Sequence, residues 1–470
     1  MQALLVFAPA VLNGILLVHM LWPERTLAGL SFKLFLGAGI GAGLQSLLYF
    51  GYLLILPAQN AFLYINLLFL AVLLVITVRR ERLRDQEARL APFPPSLAAP
   101  QRLWVLVSLM VFLVSLTTTG NYLLRRRQGD WDAWMMYNRA ARFLHIDQAH
   151  WRDSFSPRMD PIFHADYPLL LAANIAAGWE MLGSESAGVP MLQSALFSIA
   201  CVGLLASALA SCKSIGQAAL GLTLLWGLPV FVNEGARQMA DIPMAFFLLA
   251  TGVLLYLYAN RGDLGLVALA GVTTGLAAWT KNEGAVLVVG TGAALLVLLS
   301  RQFSWRPIVW LTAGISGPLA ALVFFRLRLA PSGDILSAAA GGSLRQISDP
   351  ARHSMILGYL GSELTGFGSW GILGLGVGVL PVLAVYYGLF RARVAGQVRP
   401  AFAAGFIILG VQLLGYYAAY LISPYDLAWH LSYSSTRVIL QIFPLLLFLV
   451  LCASKEAEAV LRPGLRPTAE

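Results

Sequence analysis

Charge is what this chain has least of. Only 12% of its 470 residues are Asp, Glu, Lys or Arg, 58% are hydrophobic, and the mean hydropathy is +0.73. A soluble domain carries about a quarter charged residues and has no core able to hide so much apolar surface, so that class is excluded. Lysine is nearly missing: Lys33, Lys213, Lys281 and Lys455 are the only ones. The three cysteines, Cys201, Cys212 and Cys452, lie in or beside apolar runs without metal-ligand spacing, so they read as packing residues and leave the redox compartment unreadable. Also missing are the ten-residue alternating strands of a transmembrane β-barrel. "MQALLVFAPAVLNGILLVHMLW" lacks the basic start of a signal peptide and is long enough to stay as a helix.

What is present is a succession of apolar runs near ~20 residues, the length that crosses a hydrocarbon layer of ~30 Å. Spans are expected at about 2–22, 28–56, 60–78, 103–121, 188–210, 216–233, 241–259, 264–280, 284–300, 307–327, 370–390, 400–422 and 435–453. The fold class is therefore an all-α polytopic membrane protein of about 13 transmembrane helices. The chain divides into appended N-terminal helices with a basic loop (1–102), a membrane core (103–327) whose large outer loop is 122–187, and an outer loop with C-terminal helices (328–470). "GAGIGAG" (37–43) has the small-residue spacing that lets helices approach closely.

The net charge of +9 does not point to nucleic acid, because the basic residues sit in short loops between apolar runs, as at cytoplasmic ends. The Arg-rich loop 79–102 reads as cytoplasmic, which places 122–166 outside. The marginal stretch "YPLLLAANIAAGWEMLG" (167–183) then lies in the interface, since a crossing there would turn every later basic loop outward. One anomaly remains: the outer loop itself carries Arg125, Arg126, Arg127, Arg139, Arg142, Arg152 and Arg158.

Four polar stretches fall on that outer side: "GDWDAW" with "HADYP" (164–168), "NEGARQMADIP" (233–243), "WTKNEG" (279–284) and "SYSSTR" (432–437). Ionisable groups at membrane depth are costly and usually functional. The order of these motifs resembles the GT-C superfamily of polyprenyl-phosphate-sugar-dependent glycosyltransferases, which includes protein O-mannosyltransferases and aminoarabinose transferases. The resemblance rests on "WDAWMMYNRAARFL", "HADYPLLL", "GSESAGVPMLQSALFS", "MADIPMAFFLLATGVLLYLY", "GVTTGLAAWTKNEGAVLVV" and "RVILQIFPLL". It covers residues 103–300 well and 400–453 loosely, and it departs from the family where Ala133, not Glu, follows Asp132.

The resemblance implies a GT-C-like bundle with chemistry at the periplasmic or exterior face, and arginine over lysine with abundant Ala, Gly and Leu points to a bacterial source, hence an inner or plasma membrane. A polyprenyl-phosphate-linked sugar would be the donor, and a lipid, glycan or protein the acceptor. Such transfer needs a carboxylate to take the acceptor's proton, and Asp132 is the first candidate, with Asp241 and Asp130 beside it. Trp131 and Trp134 would desolvate Asp132 or stack on a sugar. Lys281, Arg437 and Arg237 would meet the lipid phosphate as its charge grows, with His164, Tyr167 and Glu283 lining the same site. Asp130 and Asp132 form D-x-D, to which Mg²⁺ or Mn²⁺ could bind only with help from substrate phosphate. Arginines 125–127 would either recruit the anionic carrier at the membrane surface or only attract headgroups of membrane lipids, and the plainer alternatives elsewhere are helix-capping aspartates at 132 and 241 and a snorkelling Lys281. A transporter or lipid-sugar flippase, and a non-catalytic scaffold, are the rival functions.

Overall fold

The computed structural model describes residues 2–56, 61–82, 97, 99–146, 148–333, 346–369, 376–393 and 395–460. Most of the Arg-rich loop 79–102, the first part of the expected span 370–390, Arg345, and the tail residues Arg462 and Arg466 lie outside the described residues. Among the described residues the regular structure is helical throughout. The first four helices are α1 (Gln2–Leu21), α2 (Leu27–Ile55), α3 (Phe62–Arg82) and α4 (Ala99–Arg125). Short α5 (Arg139–Ile146) and α6 (Leu170–Leu182) follow, then α7 (Gly188–Cys212), α8 (Ile215–Trp226) and α9 (Pro229–Ala236). The core continues with α10 (Asp241–Arg261), α11 (Leu264–Thr280), α12 (Gly284–Leu299) and α13 (Trp305–Arg328). It closes with α14 (Pro350–Gly366), α15 (Val379–Phe390), α16 (Arg399–Leu421) and α17 (Leu427–Cys452).

Long apolar runs become helices because hydrocarbon offers the backbone no partner but itself. Their ends carry ordinary stop and start chemistry. Thr26 caps α2 by accepting from the Gly29 N–H at 3.1 Å, Ser214 caps α8 from Gln217 at 3.2 Å, and Gly262 at φ +76° ends α10. Among the described residues, eight helices are long and apolar enough to cross a membrane, or nine if α8 and α9, bent by 64°, form one span. This is the architecture of a polytopic membrane protein. A count of 13 is not established: α11 (17 residues), α12 (16) and α15 (12) are apolar but shorter than the ~20 residues a bilayer core asks for.

Helix α6 has 13 residues, a length of about 20 Å, and so is too short to span alone. It is buried from Leu170 to Glu180 rather than lying on the apolar surface, with α2 and α5 packed over it. Helices α10 and α17 are the most enclosed, with 89% and 83% of their apolar windows buried, whereas α4 and α13 bury 17% each. The enclosed pair carries Asp241 and Arg437.

The small-residue stripe works as close packing. A side chain on Gly37 would run into the backbone of Ile15, and one on Gly41 into the Ala10 carbonyl. Helix α2 in turn seats Gly39 on Phe246 and Gly43 on Leu276. A buried amide chain joins the same helices: Asn13 donates to Asn66 (2.9 Å), Asn66 to Gln45 (3.1 Å) and Gln45 to Asn174 (3.4 Å). Trp279 donates to Ser46 at 2.9 Å. The N-terminal helices are thus hydrogen-bonded into the core.

Candidate functional site

The turn after α4 sets the backbone of the site. Gly129 sits at φ +76°, and a Cβ there would strike the Ala133 side chain and the Arg237 carbonyl, so glycine lets this turn close on residues 237–238. The Asp130 N–H donates to the Arg237 carbonyl at 3.0 Å. Gln238 is held in the left-handed region at φ 61°, and its amide donates to the carbonyls of Arg126 (3.1 Å) and Arg127 (3.3 Å). Such strain persists only where surroundings hold it, often beside a working site. Asp132 then leads into a π-helical turn, Ala133–Asn138.

The four polar stretches meet here. The Arg437 guanidinium reaches Asp132 Oδ2 at 2.8 Å and Asp241 Oδ2 at 2.8 Å, bridging two carboxylates from different parts of the chain. Asp241 Oδ1 accepts from Gln441 at 2.6 Å and from the Lys281 ammonium at 3.3 Å. Lys281 also pairs with Glu283 at 3.0 Å. The side chains of Asp241 (1% exposed), Lys281 (8%) and Arg437 (8%) are withdrawn from solvent, while Asp132 keeps 15%. Burial opposes the charge on Lys281, but Asp241 and Glu283 outweigh it and hold its ammonium above the usual lysine range.

Neither aspartate is a cap. Asp132 and Asp241 stand at helix starts, yet neither start has a side-chain cap hydrogen bond, and both carboxylates are spent on Arg437. Nor does Lys281 snorkel; it is enclosed between two carboxylates.

Asp130 goes elsewhere. Its carboxylate pairs with Arg237 at 2.7 Å, which also holds Glu234 at 2.6 Å. Burial would raise the Asp130 carboxyl, but the Trp131 N–H and Arg237 outweigh it and keep it below the usual range. The D-x-D motif is therefore split between two arginines. Among the described residues no group of three or more His, Cys, Asp or Glu could hold a metal ion. The donor sets among the described residues do not fit a resident Mg²⁺ or Mn²⁺.

Trp131 and Trp134 pack edge-to-face at 5.0 Å and remain nearly half-exposed. The contacts on the Asp132 carboxylate come instead from Arg437 and from the Tyr433 hydroxyl, 3.3 Å from Oδ1. His164 stacks on Tyr167 with ring centroids 5.2 Å apart. Burial and then the charge of Glu283 push the Tyr167 phenol well above its ordinary value.

No family model, characterised protein or solved structure matches the chain.

The geometry of the site adds residues the sequence reading passed over. Tyr433 and Gln441 stand four residues either side of Arg437 on α17 and so share its face, a pattern that helical periodicity could have found. The expected last span, 435–453, began too late: α17 starts at Leu427, because its first turns are polar on the side that faces the site. Asp166 accepts from Asn282 at 2.9 Å and pairs with Arg326 at 3.4 Å, tying the "HADYP" segment to the Lys281 turn. Part of the stretch 328–369, expected on the outer side, is a helix, α14, pinned by Arg352 to the carbonyls of Tyr420 and Leu421 at 2.9 and 3.1 Å. Its Glu363 accepts from Ser435 and Thr436 at 2.9 and 2.6 Å, beside Arg437.

Proposed function

We propose that this protein is an integral-membrane glycosyltransferase that moves a sugar from a polyprenyl-phosphate carrier to an acceptor hydroxyl, as the resemblance to GT-C enzymes suggests. The observation that carries the reading is the Arg437 bridge between Asp132 and Asp241, with Lys281 on the far side of Asp241. Buried charges are expensive, and a chain with so few of them spends several at one place.

In this reading the acceptor oxygen attacks the anomeric carbon and its proton passes to Asp132, which unlike Asp241 stays partly open. The bond from the anomeric carbon to the phosphate oxygen breaks, and the phosphate leaves with the electron pair. A single displacement inverts the anomeric centre. Arg437 and Lys281 supply positive charge where the leaving phosphate gathers negative charge, which favours the transition state over the bound donor. Asp241, saturated by Arg437, Lys281 and Gln441, acts by positioning those two cations. The second oxygens of Glu283 and Glu234 are buried without a hydrogen-bond partner among the described residues, and sugar hydroxyls could supply one.

A transporter or flippase is the second reading, and the 64° break between α8 and α9 is what favours it, since broken helices flank many transport sites. One assay separates the two. Purified protein in lipid is offered a panel of polyprenyl-phosphate sugars, with wild type beside Asp132→Asn, and donor turnover including slow hydrolysis is followed by mass spectrometry. Turnover falling by about 10²-fold or more in Asp132→Asn with donor binding retained supports the transferase. Equal turnover in both removes Asp132 from the chemistry. Donor binding without turnover in either favours transport.

A further inference from the structure

The arginines that end α4 are used by none of this. Arg125, Arg126, Arg127 and Arg142, with Leu124 and Trp134, line an open recess of about 730 Å³. No acidic side chain lines it. The backbone of the turn has its acceptors drawn inward. The Arg126 carbonyl takes the Gly129 N–H at 2.8 Å and the Gln238 amide at 3.1 Å, and the Arg127 carbonyl takes that amide at 3.3 Å. The Gln128 carbonyl takes Asn138 Nδ2 at 3.2 Å. The polar groups left to face the recess are therefore predominantly donors.

Their charges are unequally spent. Arg142 is paired with Glu185 at 2.9 Å, and Arg126 lies 3.9 Å from Asp130. Arg125 and Arg127 are exposed, and no acid pairs with either among the described residues. Two unspent guanidiniums backed by two half-spent ones suit a dianion, and the planar fork of arginine suits phosphate oxygens. A phosphate monoester carries about −1.5 to −2 near neutral pH, whereas a diester carries one charge. The surroundings add an apolar requirement. Helix α4 is long and apolar enough to cross a membrane with only 17% of its apolar window buried, Leu124 on the recess rim is 62% exposed, and two indoles stand beside it as interfacial aromatics do.

We propose that this recess binds the terminal phosphate monoester of a membrane lipid, whose chain lies along the exposed face of α4. The site is separate from the Asp132–Arg437–Asp241 cluster, and the claim concerns binding, so it stands or falls independently of glycosyl transfer.

The test uses the full chain in neutral detergent micelles at physiological salt, with lipid retention read by native mass spectrometry. Phosphatidic acid is the monoester probe, phosphatidylglycerol the diester and phosphatidylcholine the neutral control. Wild type should hold phosphatidic acid about tenfold more tightly than phosphatidylglycerol, the difference that one further charge-assisted contact makes. The double variant Arg125→Gln/Arg127→Gln should lose that preference with an unchanged melting curve, and Arg125→Lys/Arg127→Lys should keep part of it. Arg301→Gln/Arg306→Gln, exposed residues remote in sequence from the recess, should keep all of it. Equal retention of the two anionic lipids by wild type, or a preference that survives the Gln double variant, overturns the proposal. Displacement of phosphatidic acid by millimolar inorganic phosphate would make the recess a free-phosphate site and overturn the lipid assignment.

Discussion

Arg437 and the pair Arg125 and Arg127 are the same residue in opposite electrostatic states. Arg437 is 8% exposed and contacts two carboxylates at 2.8 Å, so its charge is spent within the fold. Arg125 and Arg127 are exposed at the end of a peripheral helix, with no acid paired to them among the described residues. The difference teaches what desolvation does in a membrane protein. A buried cation must bring its counter-ions with it, and the set becomes a rigid, pre-organised site. An exposed cation at the interface keeps its charge available to whatever anion arrives.

The largest expected effect comes from removing the buried partner. Arg437→Met leaves Asp132 and Asp241 facing each other without their shared cation and should destabilise the fold by about 3–5 kcal/mol, read by thermal unfolding in detergent. Arg125→Met, by contrast, should leave the melting temperature within about 2 °C of the parent. Comparable losses from both would erase the distinction.

Lys281→Met should be milder in stability, because Asp241 retains Arg437 and Gln441. If the cluster receives a leaving phosphate, donor turnover should nonetheless fall by about 10²–10³-fold. Full turnover in Lys281→Met would leave Lys281 a structural counter-ion only.

Smaller still is Tyr433→Phe, which removes a hydroxyl 3.3 Å from Asp132 Oδ1 and should cost about 1 kcal/mol or less. A larger loss would mean that Tyr433, and not Arg437 alone, holds the aspartate in place.

The smallest effect lies between the two regions. Asp130 joins Arg237 at 2.7 Å and stands 3.9 Å from Arg126. Its carboxyl is held below the usual range in the fold, so its contribution is present above the unfolded value near ~3.9 and is lost as pH falls through the lower folded value. Asp130→Asn should therefore be slightly less stable than wild type at pH 6, with the gap closing in acid. The gap should be modest because the carboxylate is 35% exposed and screened. A gap that widens in acid would contradict the Arg237 pairing.

Legibility followed the range of the interaction. Expected spans 264–280 and 284–300 coincide almost residue for residue with α11 and α12, since each rests on a local apolar run bounded by Asp263 and by the Lys281 turn. The last span was misjudged where one helix face turns polar: hydropathy reads Tyr433 and Arg437 as a boundary, while the helix continues through them. The adjacent carboxylates Asp130 and Asp132 looked like one pair in sequence, yet they turn to different arginines.

Composition and hydropathy alone determined that this is a helical membrane protein with its scarce charges gathered at particular helix ends, because burial in hydrocarbon and backbone self-satisfaction act on each segment separately. Which charges neutralise which was decided only by the tertiary structure. Asp132 and Arg437 are 305 residues apart in sequence and 2.8 Å apart in space, and Asp241 joins them from a third helix. An ion pair depends on a distance, and no local pattern carries the distance between two helices that meet only when the bundle closes.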